Sequence, residues 1–440
     1  MHARRGVFAL CGVVVVASIA TLTLREPVSE SSSRGSVPAT TVPASGSVPA
    51  SGSVSTTVTP STTVAPSTTV STTTLPPSTV AVDRLLASMT LRQRVLHLLV
   101  LGAGGPDPAG TIGAVLGDVC IGGVFVAGNA GNWSPAGSPE AAAASIGMIA
   151  AATSDCAAAP FVTTDAEVGT RVLKVPVDPL PDPATLVDNH RSDPATTAEG
   201  LAPAASAFAA EMRALGVHVN LGVIADVDVD AGYYMARQRR SFGADPEVVV
   251  AITEALVEGH CAAGVAPTLK HFPNQGSTLE DPHRDDSFST NDPAAWRVFG
   301  ALPYERTRAP LVMTGHVRYV GVDDQTPATL SAEITGWLRS DLGYEGVIIT
   351  DDLHTMRGVA DQFAPAERAV SAISAGADLA LYVAPDDAVA VVEAVVSRAE
   401  RDANFAASVD ESVRRVLRLK GALGLLVDTD PAWFTLCPSN

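Results

Sequence analysis

The sequence predicts an α/β fold, a single (β/α)8 TIM-like barrel, and three observations carry that expectation. Short apolar runs alternate with amphipathic helical stretches, the pattern of parallel strands joined by right-handed crossovers. The repeating units number close to eight, and no glycine-rich phosphate loop follows the first of them, as an open doubly wound sheet would favour. Four apolar runs also end in ionisable groups: Val-Thr-Thr-Asp165-Ala-Glu167, Thr-Leu-Lys270-His271, Val-Met-Thr-Gly-His316 and Ile-Ile-Thr-Asp351-Asp352. In a parallel barrel all such ends share one face, so side chains far apart in sequence converge on one pocket.

The elements follow in order. Arg4 and Arg5 precede an uncharged, mostly apolar run from Gly6 to Leu24, long for a signal-peptide core and about the length that spans a bilayer. Residues 1–26 therefore read as a membrane anchor or a signal peptide, with Ser18 and Ala20 as small residues at a cleavage site. Two basic residues before the run and Arg25 after it keep the N-terminus inside and export the remainder. Leu10 before Cys11 is a poor lipid-attachment context. Residues 27–80 consist of Ser, Thr, Pro, Val and Ala with short repeats such as Pro60-Ser-Thr-Thr-Val and Pro66-Ser-Thr-Thr-Val. Such a segment cannot bury a core and is expected to be a disordered stalk. Residues 81–440 form the barrel domain, and the expected location is extracytoplasmic.

Within the barrel domain, strands are expected at Leu98 to Gly102, Ile121 to Ala127, Phe161 to Thr164, Val217 to Ile224, Pro267 to Lys270, Leu311 to Thr314, Gly346 to Thr350 and Leu379 to Val383. Helices are expected at Pro139 to Ser154, Ala198 to Leu215, Pro246 to Ala263, Ala332 to Leu342, Pro365 to Ser374 and Asp387 to Arg401, with Val409 to Leu423 closing the fold. Pro246 and Pro365 suit the first helical position, where a missing N–H costs nothing. Cys120, Cys156 and Cys261 fall at the lower rim of such a barrel. Cys120 with Cys156 is one pairing, and buried free thiols are the other reading.

The net charge of −18 and pI near 4.8 argue against nucleic acid as a partner, because Lys and Arg dominate phosphate binding. No Cys/His spacing resembles a zinc site. The expectation is no metal, no cofactor, no nucleic acid, a neutral small substrate, membrane contact only through the N-terminal segment, and a monomer.

At this point the chain resembles a known family. Lys270-His-Phe-Pro-Asn-Gln-Gly-Ser-Thr-Leu-Glu-Asp281-Pro-His283 is similar to the Lys-His-Phe-Pro-Gly-His-Gly segment and Asp-Ser-His loop of the glycoside hydrolase family 3 barrels, within them the bacterial β-N-acetylhexosaminidases of cell-wall recycling. Gly346-Val-Ile-Ile-Thr-Asp351 resembles that family's nucleophile strand, Thr163-Thr-Asp165-Ala-Glu167-Val-Gly-Thr-Arg171-Val its Asp-x-Glu-Gly-Gly-Arg-Val segment, and Arg240-Ser-Phe-Gly-Ala-Asp-Pro a further one. The likeness runs from Met89-Thr-Leu to about Val359 and more loosely to the C-terminus. It implies a retaining exo-β-N-acetylglucosaminidase acting on carbohydrate, with peptidoglycan fragments or related glycans as substrates.

The resemblance also implies roles. Asp351 would be the nucleophile, His283 the general acid/base and Asp281 its partner; Asp165, Lys174, Arg240, Lys270, His271, His316 and Met356 would bind the sugar. The chemistry fits these residue types. A glycosyl-enzyme needs an ionised, rigidly held carboxylate, and a histidine that both gives and takes a proton is oriented by a neighbouring carboxylate. Each residue has a plain structural alternative: a helix cap for Asp351, a surface turn for Asp281 and His283, a helix-entry salt bridge for Arg240, strand bracing for Lys270 and His271, loop support for His316, core packing for Met356. Lys174 meets the family's second arginine only after one inserted residue, and Lys is no substitute for an Arg fork. Val168, Asn274, Gln275, Ser277 and Pro282 depart from the family pattern. They leave open a catalytically weakened glycan-binding paralogue, or a β-glycosidase or phosphorylase with another sugar.

Overall fold

The apolar runs become ten β-strands: β1 Leu99–Gly102, β2 Gly123–Phe125, β3 Phe161–Thr164, β4 Val219–Ile224, β5 Ala266–Phe272, β6 Ser287–Ser289, β7 Leu311–Thr314, β8 Val317–Tyr319, β9 Val347–Thr350 and β10 Ala380–Tyr382. They come from a computed structural model that describes residues 75–105, 107–126 and 137–437. Residues 1–26 and nearly all of the expected stalk lie outside the described residues. The stalk's last residues do not: a helix opens at Pro77 and runs to Ser88, inside the segment assigned to the stalk. The folded part thus begins four residues before the boundary expected at Ala81. Buried Val82 and Leu86 fix that helix to the domain.

Eight strands pair in parallel in the order β10-β1-β2-β3-β4-β5-β7-β9. Between β9 and β10 a single parallel bridge joins Ile349 and Leu379, supported by the Thr350 N–H donating to Leu379 O at 3.0 Å, so the sheet curls into a nearly closed barrel. All eight barrel strands fall in the expected runs. β5 continues through Phe272, past the expected end at Lys270, and its register with β7 shifts between Lys270 and Phe272. β6 and β8 were not anticipated; they pair with each other, Ser287 against Val317, on the loops that follow β5 and β7.

Alternation of side chains sorts the strands into two faces. Val100, Phe161, Val219, Leu221, Leu311, Met313, Val347, Ile349, Leu379 and Leu381 form one cluster inside the barrel. Leu99, Leu101, Val162, Val312, Ile348 and Tyr382 join the layer between sheet and helices. Val416 and Leu419, on the last long helix Ala403–Ala422, belong to the inner cluster and plug its lower end. Two disulfides clasp the fold: Cys120–Cys156, with Cα atoms 5.6 Å apart, and Cys261–Cys437, which ties the C-terminal segment to the helix Pro246–Ala262.

The helices start on a recurring device. Ser138-Pro139, Asp182-Pro183, Asp193-Pro194, Asp245-Pro246 and Asp292-Pro293 each put an accepting side chain at the N-cap and proline just inside the helix, which occupies a free N–H and supplies a pre-set φ. The same device places the start of the longest helix at Pro194, four residues before the expected Ala198. The expected helix from Ala332 to Leu342 forms as an α-turn, Ala332–Gly336, continued by a π-helical turn, Trp337–Asp341.

Candidate active site

The strand ends that the sequence singled out do meet at one mouth. Two adjoining cavities, of about 510 and 660 Å³, open there and share Asp165, Lys174, His283 and Asp351 in their walls. Lys270, His271, Arg240 and Asp281 line the larger one, and Met356 lines the other.

The floor is an ion network. Lys270 Nζ stands 2.8 Å from Asp165 Oδ1 and 2.9 Å from Glu167 Oε1. Arg240 grips Glu167 with a fork, Nε to Oε2 at 3.0 Å and Nη2 to Oε1 at 2.6 Å. Burial opposes ionisation of Glu167, but Arg240 and Lys270 outweigh it and draw the carboxyl down to about 2. The Arg240 pair is thus made deep in the floor, with Glu167, and not at a helix entry. The Asp165–Glu167 segment is held from below by Asn220 of β4, whose amide donates to Ala166 O at 2.9 Å and accepts the Ala166 N–H at 3.0 Å. That contact depends on Gly222, because a Cβ there would sit 2.1 Å from Ala166 O.

Asp351 follows β9, and its own N–H donates to Thr314 O on β7 at 2.9 Å. The Asp352 N–H donates to Asp351 Oδ1 at 2.8 Å, which turns Oδ2 toward His271, with Nε2 3.9 Å away. Burial works against the Asp351 anion; the positive character of His271, His316, His283 and Lys270 overcomes it and keeps the carboxyl below its usual range. Asp352 points elsewhere: Oδ1 accepts the N–H groups of His354 and Val383, and Oδ2 that of Thr355. It shapes the loop, as the sequence suggested.

His283 rides on the loop after β5. Its Nδ1 is 2.9 Å from Asp281 Oδ1, and its backbone N–H donates to the same oxygen at 3.0 Å. The ring is about half exposed, at 53 %, with its other nitrogen free of any listed-type protein partner among the described residues. Burial, the largest influence on Asp281, would raise its carboxyl, but the hydrogen bonds from His283 outweigh it and lower the pKa. Pro282, between the pair, offers its carbonyl to the Gly358 N–H at 3.2 Å.

One expected sugar contact is misplaced. His316 is fully buried and lines neither cavity; its Nε2 bonds Asp352 O at 3.0 Å, because Gly315 lets the chain turn in behind the wall after β7. Met356, by contrast, is absent from the core clusters and faces a cavity. Two residues went unassigned in sequence. Glu167 sat inside a quoted motif without a role. Asp226 follows β4 and binds His271, yet the same rule that marked Asp165 and Asp351 marks it too. The departure at Asn274 is structural: its side chain accepts the Val227 N–H at 3.0 Å and donates to Val227 O at 2.9 Å, stitching the β4 and β5 loops together.

A nearly closed parallel barrel with a buried carboxylate, an Asp-His pair and an acid–base floor at its C-terminal mouth defines the class. The glycosyl hydrolase family 3 N-terminal domain model matches residues 90–419, and the chain belongs to that family. Among its relatives, the beta-hexosaminidase LpqI of Mycobacterium tuberculosis is 34% identical over 221 residues, 48% of this chain and 56% of the relative. The beta-hexosaminidase of Bordetella avium is 35% identical over 205 residues, 46% of this chain and 58% of that protein. The chain thus matches little more than half the length of these curated relatives. In three dimensions it is similar to the β-N-acetylhexosaminidase of Beutenbergia cavernae, at 32% identity and a TM-score of 0.66 over 76% of this chain and 99% of that one.

Proposed function

We propose that this chain is a retaining, exo-acting β-N-acetylglucosaminidase that removes a terminal N-acetylhexosamine through a glycosyl-Asp351 intermediate. The observation that carries the reading is that Asp351 and His283 line the same pair of cavities with opposite supports: cationic groups around the carboxylate, a carboxylate behind the imidazole. Asp351 Oδ2 attacks the anomeric carbon while the glycosidic oxygen takes a proton from His283 Nε2, and the C–O bond breaks. Water then attacks the same carbon, His283 Nε2 accepts its proton, and Asp351 leaves as a carboxylate. Asp165 and Lys270 hold sugar hydroxyls, Arg240 braces Glu167 beneath them, and Met356 offers an apolar surface to the acetamido group.

Relatives named as beta-hexosaminidases support the choice of sugar. The exported N-terminal segment read from the sequence supports an extracytoplasmic site of action on peptidoglycan fragments or related glycans, reached by a monomer on its stalk. The test is turnover of a chromogenic β-N-acetylglucosaminide at acid to neutral pH, followed by mass spectrometry of the peptide carrying Asp351 after a fluorosugar trap. Release of free N-acetylglucosamine with and without phosphate separates hydrolysis from phosphorolysis. Absence of turnover with every β-glycoside tried, together with retained sugar binding, would make the chain a glycan-binding protein instead.

A further inference from the structure

The loop that carries His283 is held by a short helix from a different part of the barrel mouth. Tyr234–Gln238 lies after β4, and three bonds join it to the loop's approach. The Tyr234 N–H donates to Thr278 O at 2.9 Å. Arg237 Nη2 donates to Leu279 O at 2.6 Å, while its Nη1 donates to Gly232 O at 2.7 Å, fixing the guanidinium between the two segments. The Tyr234 hydroxyl, on a side chain only 4 % exposed, hydrogen-bonds the Asp281 carboxylate and stands 3.5 Å from His283 Nδ1, too long for a strong bond to the ring itself. From the opposite side the Gly358 N–H holds Pro282 O at 3.2 Å. The loop is therefore clasped on both flanks of the Asp281-His283 pair.

A phenol at this place does something the two backbone clasps cannot. Asp281 has four lone-pair directions, and His283 takes those of Oδ1 through its ring and its backbone N–H. Without a further donor the carboxylate is free to rotate about its Cβ–Cγ bond and to turn Oδ1 away. Arg284, 3.6 Å off on a side chain 82 % exposed, is too mobile to prevent that. A neutral, buried donor is better suited, and burial pushes the Tyr234 hydroxyl up to about 12, so it stays protonated. The other groups that face His283 are Asp351 after β9 and His316 after β7, neither of which touches Asp281.

We propose that Tyr234 is a positioning residue for the acid/base pair: its hydroxyl locks the Asp281 carboxylate that orients His283, so that Nε2 faces the bond to be broken. This rests on the glycosidase reading above and deepens it.

The test is Tyr234→Phe, which removes one oxygen and leaves the ring packed. Two substrates are compared: N,N′-diacetylchitobiose, whose leaving alkoxide needs a proton, and 2,4-dinitrophenyl N-acetylglucosaminide, whose leaving group does not. The variant is expected to lose about tenfold in kcat/KM on the disaccharide and less than about twofold on the dinitrophenyl substrate. Its kcat on the dinitrophenyl substrate falls at the water-dependent step, and azide, which needs no base, restores it with formation of glycosyl azide. Equal losses on both substrates, or no loss on either, overturn the proposal. A chain without glycosidase activity is still informative through the 15N spectrum of His283. In the wild type the neutral ring carries its proton on Nδ1, and Tyr234→Phe mixes the two tautomers. An unchanged tautomer in the variant sinks the positioning role, whereas a changed one with no turnover in either protein sinks only the glycosidase reading.

Discussion

Asp226 grips His271 at two points: its Oδ2 lies 2.8 Å from the ring Nδ1, and its Oδ1 accepts the His271 backbone N–H at 3.3 Å. The same Oδ1 takes the Gln275 N–H at 2.6 Å. Ring and backbone are thus fixed together, and Nε2 is left pointing at Asp351 from 3.9 Å. Asp226→Asn keeps the shape but sets an amide N–H against donors, so His271 loses its orientation. The expected result is a fall in kcat/KM of about tenfold to a hundredfold on a chromogenic N-acetylglucosaminide, with the fold intact by circular dichroism. Wild-type turnover in Asp226→Asn would remove His271 from any part in the site.

Glu167 ties the site to stability. Its carboxyl is drawn from 4.5 down to about 2 in the folded chain, so the folded state binds protons less readily than the unfolded one. The contribution is fully present above about pH 4.5 and is lost as the pH falls toward 2. At neutral pH it is on the order of 3 kcal/mol. Glu167→Gln is expected to lower stability at pH 7 by that order and to flatten the curve between pH 4.5 and 2 in urea titrations. A parallel downward shift at all pH values would show that Arg240 and Lys270 do not set the Glu167 pKa.

Much of this site could be read from the chain because a barrel converts strand ends into neighbours. Asp165, Lys270, His271 and Asp351 each follow an apolar run, and that position alone brought them to one mouth. Asp226 obeys the same rule after Ile224, but its run ends in Asp-Val-Asp within a loop rich in acids, where no single carboxylate stands out. Tyr234 had no signal of this kind, since its partner Asp281 belongs to another loop and only folding brings the two together. His316 shows the rule's limit: a residue after a strand can turn inward behind the wall, and burial, which sequence does not display, decides which. The strands β6 and β8 escaped notice because Ser287, Phe288 and Ser289 bury serines and expose phenylalanine, the reverse of the usual alternation. The Asp-Pro and Ser-Pro helix starts were visible throughout, yet at Asp182, Asp193 and Asp292 they sit beside weakly apolar stretches that hid them.

The two disulfides close very different lengths of chain, 36 residues between Cys120 and Cys156 and 176 between Cys261 and Cys437. Loop-closure entropy assigns them about 4 and about 5 kcal/mol respectively. The second holds the C-terminal segment, where Phe434 packs over Gly421 so closely that a Cβ on Gly421 would meet the ring at 2.5 Å. Cys437→Ser is expected to lower the melting temperature by several degrees and to leave the barrel mouth untouched. The check is calorimetry with and without reductant: an unchanged Tm in the variant would mean that the segment is anchored without its sulfur.

His283 supplies the sharpest prediction, because its ring is half exposed and its only close partner among the described side chains is a carboxylate two residues away. A histidine so placed is oriented by the fold but not buried in it, so His283→Ala is expected to fold like the wild type. Its effect is chemical: the proton for the leaving oxygen is lost, and kcat/KM on a disaccharide falls by about 10² to 10⁴. With a dinitrophenyl leaving group the first step needs no proton, and the loss shrinks toward the level set by water attack alone. Azide then accelerates turnover of the variant and not of the wild type. Asp351→Ala behaves differently, being dead toward both substrates, since no leaving group replaces an attacking carboxylate. If His283→Ala cleaves the disaccharide at the wild-type rate, some other group gives the proton, and the loop after β5 is only a wall.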